Sequence, residues 1–231
     1  MGTFGKIFID QFRTTYTYGT SAGTENAGAA WMWILLAIGV LGVLLSAERM
    51  FTLWMKFGAV NAEKFMAPVM KHVESGELNK AFDLCKKVDG SALPYVIMKG
   101  IDAARQHEHP DWRTIQDGID MAMIEIMPKL QARISYINLI ASVATLIGLA
   151  GTIFGLILAF DAVGQPGVNE ATKSAMLAAG ISAAMGTTIA GLFIAVPMQV
   201  VYSIINNKLS KILDDVDEWG VKFVNLIQRV K

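Results

Sequence analysis

The chain has 231 residues, of which 53% are hydrophobic and 17% charged, with 20 basic and 20 acidic side chains. A soluble domain carries about 25% charged residues, so this composition is typical of an integral membrane protein. The balanced charge gives no sign of a nucleic-acid partner. Cys85 is the single cysteine, which excludes an internal disulfide. The sequence contains no Cys-x-x-Cys motif, so no metal or cofactor site is predicted from its cysteines.

Residues 1–28 are small, polar and turn-forming, which predicts an external segment with an interfacial helix at residues 4–12 (FGKIFIDQF). The apolar run 29–47 that follows has about the 20 residues that a bilayer core requires. Trp31 and Trp33 fit an aromatic belt at its outer end. A signal peptide is the alternative, but the run starts late and lacks a clean Ala-x-Ala cleavage site. We therefore expect a retained first membrane helix.

Residues 48–133 are polar, with apolar side chains at three- and four-residue spacing. This spacing is typical of amphipathic helices, so we predict a small helical domain without strands. Turn-forming residues are expected to separate the helices. The predicted breaks are Gly76, Gly90, Pro94 and the turn at His109–Pro110.

His107, Glu108 and His109 have the side-chain types of a metal site. They precede a proline in a polar loop and no supporting shell is visible around them. A solvated turn is therefore the favoured interpretation, and no metal is expected.

Two later stretches, 134–160 and 174–207, contain no charged side chain and each exceeds the length of a membrane span. As a helix the second of these would be about 51 Å long, well beyond the bilayer core. The tail 208–231 keeps a helical apolar pattern. We therefore predict three membrane helices, the last of which continues into the tail.

Basic residues near the ends of the spans predict the orientation. They place the domain 48–133 and the tail 208–231 in the cytoplasm, with residues 1–28 and the loop 161–173 outside. Cys85 would then lie in a reducing compartment, as an unpaired cysteine should. The basic residues on the cytoplasmic side are Arg49, Lys56, Lys129, Arg133, Lys208 and Lys211.

Small side chains recur at four-residue intervals in the last two spans. They are Ala144, Gly148, Thr152 and Gly155 (after a three-residue step) in one span, and Ala179, Ala183, Thr187, Gly191 and Ala195 in the other. Residues spaced in this way share a helix face. In lipid, such faces let helix backbones approach closely, so these rows predict tight helix packing.

Four threonines, Thr145, Thr152, Thr187 and Thr188, lie deep in these spans. One intramembrane hydroxyl means little, because it can bond to its own helix. Hydroxyls at comparable depth on two antiparallel helices, however, predict a polar stripe. Neither span has an ionisable side chain, although proton transport normally requires one. If ions cross here, the carboxylate must come from a partner helix.

Two segments carry a family resemblance: IGLAGTIFGLILAF (147–160) and GISAAMGTTIAGLFIAVPMQVVYSIINNKL (180–209). They resemble the ExbB/TolQ/MotA proton-channel family. Three spans with a large loop after the first are similar to the ExbB/TolQ branch. The resemblance agrees with the all-α fold predicted from the pattern and implies a multi-pass protein of the bacterial inner membrane. The basic residues then predict a periplasmic N-terminus and a cytoplasmic C-terminus.

The resemblance also implies a motor stator. Five such subunits, contacting membrane lipids, would surround two copies of an ExbD- or TolR-like single-span protein that carries an essential Asp. Ion flow past that Asp would drive rotation, with no further cofactor. The work would pass to a periplasm-spanning protein similar to TonB or TolA, for example to energise outer-membrane transport.

The family's pore-lining threonines correspond to Thr152 and Thr188, joined here by Thr187 and Thr145. Two positions depart from the family pattern. Ala183 stands where ExbB often has Glu, and Thr145 stands where the family has Pro. The residues expected to pack around the partner helix are Gly148, Gly151, Gly155, Ala183, Gly186, Gly191 and Pro197.

Several alternatives remain open. The ion is expected to be the proton, although paired threonines also occur in sodium-driven relatives. The motor could serve gliding or secretion, or the chain could be a scaffold that conducts nothing. An enzyme is not expected because no nucleophile–base pair is visible, nor is a stand-alone channel, since no charged ring is apparent. Asp161 either attracts cations to the mouth or is a solvated helix end, and the latter is favoured.

Overall fold

The computed structural model describes residues 27–58, 60–88, 90–106, 112–164 and 169–230. Every regular element in these ranges is helical, which confirms the all-α prediction. A π-helical segment, Thr52–Phe57, directly follows the first helix. The α-helices are α1 (Ala27–Phe51), α2 (Ala62–Glu74), α3 (Leu78–Lys87), α4 (Ala92–Arg105), α5 (Trp112–Gln131), α6 (Ile134–Gly164) and α7 (Glu170–Val230).

Three helical stretches among the described residues are long and apolar enough to cross a membrane, and they include most of α1, α6 and α7. The helices α6 and α7 end and begin at Gly164 and Glu170, so they extend into both sides of the segment 161–173 that the sequence assigned to a loop. The predicted continuation of the last helix is confirmed, because α7 runs unbroken to Val230. The predicted interfacial helix at 4–12 lies outside the described residues.

The chain divides into two compact units. The first contains the described residues up to Ser46 and the segment Tyr136–Tyr202. Its core is made of small and medium side chains from α1, α6 and α7, as expected where close approach rather than burial from water drives association. The core residues are Met32, Leu35, Ala144, Ala190 and Ala195.

The second unit contains residues Ala47–Ser135 and Ser203–Lys231, of which the structure describes the ranges given above. On α2, Met66, Val69 and Val73 are fully buried at the spacing that places them on one helix face. Asn61 caps this helix, because its side-chain oxygen accepts a hydrogen bond from the Lys64 backbone N–H. Phe223 of α7 is fully buried beside Gly100 of α4.

The breaks between these helices follow the predicted turn residues in part. Gly76 and Gly90 have φ angles of +73° and +93°, which an L-amino acid rarely adopts, and they separate α2 from α3 and α3 from α4. Pro94 is different: it lies in the first turn of α4, where a proline lacks no needed hydrogen bond. The predicted turn at His109–Pro110 lies outside the described residues.

Candidate functional site

The backbones of α6 and α7 in the first unit lie close together at two glycines. A Cβ atom built on Gly191 would lie 2.7 Å from the carbonyl oxygen of Ala144 and 3.0 Å from the Cα of Gly148. One built on Gly148 would lie 3.0 Å from the carbonyl oxygen of Thr187. The backbones are therefore in contact, and only glycine fits at this crossing.

The same antiparallel contact extends to the other end of both spans. A Cβ on Gly155 would lie 2.9 Å from that of Ala184, and Gly180 of α7 packs directly on Ala159 of α6. A Cβ on Gly151 would lie 2.8 Å from the hydroxyl oxygen of Thr187. The contact between the two helices thus extends from Ala144 to Ala159, about four turns of α6.

The contact rows differ in detail from the rows read off the sequence. On α7 the row is Gly180, Ala184, Thr187 and Gly191, and on α6 it is Ala144, Gly148, Gly151, Gly155 and Ala159. A strict four-residue step drifts by about 40° each time around a helix of 3.6 residues per turn. Counting back from Gly191 in alternating steps of four and three residues would have predicted Ala184 and Gly180 as contact residues.

Thr187 lies inside this contact and is only 5% exposed. Its hydroxyl donates to the carbonyl oxygen of Ala184 at 2.7 Å and lies 3.2 Å from that of Gly148 on the opposite helix. One hydroxyl proton serves one bond at a time, so Thr187 is satisfied within the protein. It acts in this structure as a polar link between the two backbones.

Thr188 and Thr152 meet at the edge of the same contact. The Thr188 hydroxyl lies 3.2 Å from the Gly148 carbonyl oxygen and 3.5 Å from the hydroxyl oxygen of Thr152. Thr152 in turn donates to the carbonyl oxygen of Leu149 at 2.6 Å. Both side chains are half-buried. The structure therefore brings together Thr152 and Thr188, two of the four threonines that the sequence predicts to line an ion path.

Thr145 does not join this pair. It is exposed on α6, about two turns from Thr152, and donates to the carbonyl oxygen of Ala141 at 3.2 Å. Gly186 is buried, whereas the surroundings of the Ala183 side chain lie outside the described part of the chain. Pro197 lies within α7 and is exposed.

Pro197 borders an apolar groove of about 470 Å³ between α1 and α7. Its lining comes from both helices and includes Met32, Leu35, Gly39, Phe193, Ile194 and Met198. The Ser46 hydroxyl lies 3.6 Å from the sulfur of Met198, which is one of the lining residues. The groove offers no group that binds an ion.

Metal chemistry has no support in the part of the chain that the structure describes, where no three His, Cys, Asp or Glu side chains are grouped. The His107–His109 segment lies outside it. Asp161 near the end of α6 is exposed. What the site offers is therefore hydroxyl and carbonyl oxygens, without an ionisable group of its own.

The chain is similar in sequence to known proteins. Residues 90–218 match the MotA/TolQ/ExbB proton channel family. The putative biopolymer transport protein ExbB homolog of Methanothermobacter thermautotrophicus is 25% identical over 209 residues, covering 88% of this chain and 71% of that protein. The Tol-Pal system protein TolQ of Haemophilus influenzae is 30% identical over 150 residues, covering 65% of this chain and 58% of TolQ.

A solved structure agrees at the level of the fold. The structure of C. jejuni MotAB matches with a TM-score of 0.56 and 18% sequence identity, covering 87% of this chain and 76% of the matched chain. The family match spans more than half of the chain and includes both α6 and α7 of the first unit. The chain therefore belongs to the MotA/TolQ/ExbB proton channel family of membrane proteins.

Proposed function

We propose that this chain is the stator subunit of an ion-driven motor in the bacterial inner membrane. It works with an ExbD- or TolR-like single-span protein and passes work to a TonB- or TolA-like protein that spans the periplasm. The Thr152–Thr188 contact carries the proposal, because it places two hydroxyls together at the edge of a glycine-tight helix pair. Energising outer-membrane transport is the process we favour over gliding or secretion.

The absence of charged side chains from these spans indicates which groups this chain and its partner each contribute to the ion path. The segments 134–160 and 174–207 contain no Asp, Glu, His, Lys or Arg. An ion that crosses here needs a titratable or charged partner, and the partner protein's Asp supplies it. This chain supplies the oxygens beside that Asp. Protons are the favoured ion and sodium the alternative.

The arrangement in the membrane follows from the basic residues. Segments 1–28 and 161–173 lie in the periplasm, and segments 48–133 and 208–231 lie in the cytoplasm. The spans are 29–47, 134–160 and 174–207. Five copies of the chain surround the partner's helices, by analogy with the family.

A non-conducting scaffold is the second candidate, and one observation favours it. Each of the four threonines has a backbone carbonyl oxygen within hydrogen-bond distance, so none requires an ion to satisfy its hydroxyl. In that case the hydroxyls only support helix packing.

Ion-driven activity of Thr152→Ala and Thr188→Ala, co-expressed with the partner, separates the two candidates. Thr52→Ala is the matched control, since Thr52 also donates to a carbonyl of its own helix turn but lies outside the helix contact. If all three variants co-purify with the partner and only the first two lose activity, the stator is supported. Full activity of both Thr152→Ala and Thr188→Ala would favour the scaffold. Repeating the assay with and without a sodium gradient identifies the ion.

A further inference from the structure

The helix α6 has three chemically distinct faces along its apolar length. One is buried against the rest of the first unit and contains the small residues of the contact row. A second is exposed and purely apolar: Leu139, Leu146, Ile153, Ile157 and Phe160 are 54–63% exposed. A third, between these two, is exposed or half-buried and mostly polar: it carries Asn138, Ser142, Thr145 and Thr152, with Leu149 (52% exposed) among them.

The polar residues lie on one side of the helix because they are four, three and seven residues apart. They run from the Thr152–Thr188 contact to the first turns of α6. Two exposed faces of one membrane helix cannot both face lipid when one of them is polar, because polar groups are costly in hydrocarbon. The apolar face suits lipid, and the polar face does not.

The side-chain amides indicate whether this side of the helix faces water or lipid. Ser142, Thr145 and Thr152 donate to carbonyl oxygens of their own helix, so their hydroxyls alone are tolerated anywhere. The side-chain amide of Asn138 has no hydrogen-bond partner within the described residues, although it holds two donors and an acceptor. Such a group requires water or a polar partner.

A second amide from α7 joins the same side. Gly148 pairs with Gly191 and Ala159 with Gly180, and continuing this antiparallel register places Gln199 at a level between Asn138 and Ser142. Gln199 is exposed, lies about three helical turns from Thr188 on the same side of α7, and also lacks a partner among the described residues.

We infer that Asn138, Ser142 and Gln199, with Thr145, form a water-facing surface that continues the ion path from Thr152 and Thr188 to the N-terminal end of α6. The inference rests on the proposed function for its direction, since that end of α6 is then cytoplasmic. The occupant of the surface is water, through which the ion leaves the pair of threonines. Asn138 and Gln199 hold that water in place as positioning residues.

Cysteine labelling tests the surface directly. Cys85 is 2% exposed and burial raises the pKa of its thiol to about 12, so the wild-type chain serves as the unreactive blank. Ser142→Cys and Asn138→Cys are compared with Leu139→Cys and Leu146→Cys, in membranes that contain the co-expressed partner. The probe is a charged, water-soluble methanethiosulfonate, which reacts with thiolates.

The polar-face cysteines should react at least about tenfold faster, because a charged reagent reaches thiols in contact with water and is excluded from hydrocarbon. Equal rates on the two faces, or unreactive polar-face cysteines, would overturn the inference. The second result would show that the partner covers this face without water.

A functional pair of variants tests the role of the amides. Gln199→Leu should lower ion-driven activity several-fold, whereas Val200→Leu, a change to the same residue at the neighbouring exposed position, should not. Equal activity of the two variants would overturn the role assigned to Gln199. Selective labelling combined with fully active Thr152→Ala and Thr188→Ala would instead overturn the proposed function and leave the water-facing surface standing.

Discussion

Gly191 is a position at which the helix packing requires a residue without a Cβ atom. The carbonyl oxygen of Ala144 leaves no room for a methyl group at this position, since the distance to a built Cβ is 2.7 Å. A backbone carbonyl cannot turn aside as a flexible side chain can. Replacing this glycine must therefore move one of the helices.

Gly191→Ala should destabilise the detergent-solubilised protein by about 1–3 kcal/mol, the usual cost of overpacking a tight contact. Thermal unfolding measures the loss. Gly164→Ala is the control, because nothing lies within 4 Å of a Cβ built there. Similar stability of the two variants would mean that the helices separate easily at Gly191.

The threonines illustrate the limit of prediction at the residue scale. The sequence predicted how deep in the membrane four threonines lie, but not on which side of its helix each one lies. They are Thr145, Thr152, Thr187 and Thr188. The structure puts Thr187 inside the helix contact, Thr152 with Thr188 at its edge, and Thr145 on the exposed side. Their assignment to an ion path stays a prediction for all four.

At the scale of elements, the sequence predicted which segments are helical, but it predicted only in part which face of each helix is buried. Small residues at short intervals predicted that the last two spans pack closely, and the structure has that contact. The four-residue rows chosen from the sequence nevertheless drift away from it. The contact uses Ala184 and Gly180, because a real helix turns through 3.6 residues and not four.

The C-terminal part of α7 completes the core of the second unit. Phe223 is fully buried beside Gly100, and Ile119 of α5 lies against the same glycine. Phe223→Ala should therefore cost about 3–5 kcal/mol, through lost burial and the cavity left behind. Val221→Ala, two residues away and 57% exposed, should change stability by less than about 0.5 kcal/mol. Comparable melting temperatures of the two variants would contradict this packing.

A hydrogen bond between α4 and α5 gives a pH dependence. The Tyr95 hydroxyl donates to the Glu125 carboxylate, and this bond raises the pKa of Tyr95 to about 12 and lowers the pKa of Glu125. Since the folded state holds the tyrosine proton more tightly, the bond stabilises the protein below the unfolded tyrosine pKa of about 10. That stabilisation is lost as pH rises from about 10 towards 12.

Melting temperatures measured across this alkaline range test the bond. The wild-type protein should lose stability more steeply than Tyr95→Phe, which has no proton to release. Parallel curves for the two proteins would show that Tyr95 and Glu125 are not bonded in solution. A lowered Glu125 pKa acts in the opposite direction, so its contribution is present at neutral pH and is lost only as pH falls through the acid range.

At the scale of the whole molecule, orientation is the main open prediction. Basic residues near the ends of the spans predict a cytoplasmic tail and an external 161–173 segment. Alkaline phosphatase, which is active only outside the cytoplasm, should be inactive when fused after Lys231 and active when fused after residue 168. The reverse pattern would invert the topology and the direction of the proposed ion path. Expression of both fusions, checked by immunoblotting, is the control.

The amino-acid sequence by itself determined the class of the molecule: three apolar helices, a polar helical domain and membership of a proton channel family. Long uncharged stretches and glycine-threonine motifs are local features, and burying them in water-free surroundings leaves few other structures. Only the tertiary structure decided which faces of α6 are buried, polar and apolar, and that Thr152 meets Thr188. Those facts depend on the rotation of one helix against another. Backbone contacts such as that of Gly191 with Ala144 set this rotation, and no single residue of the sequence predicts it.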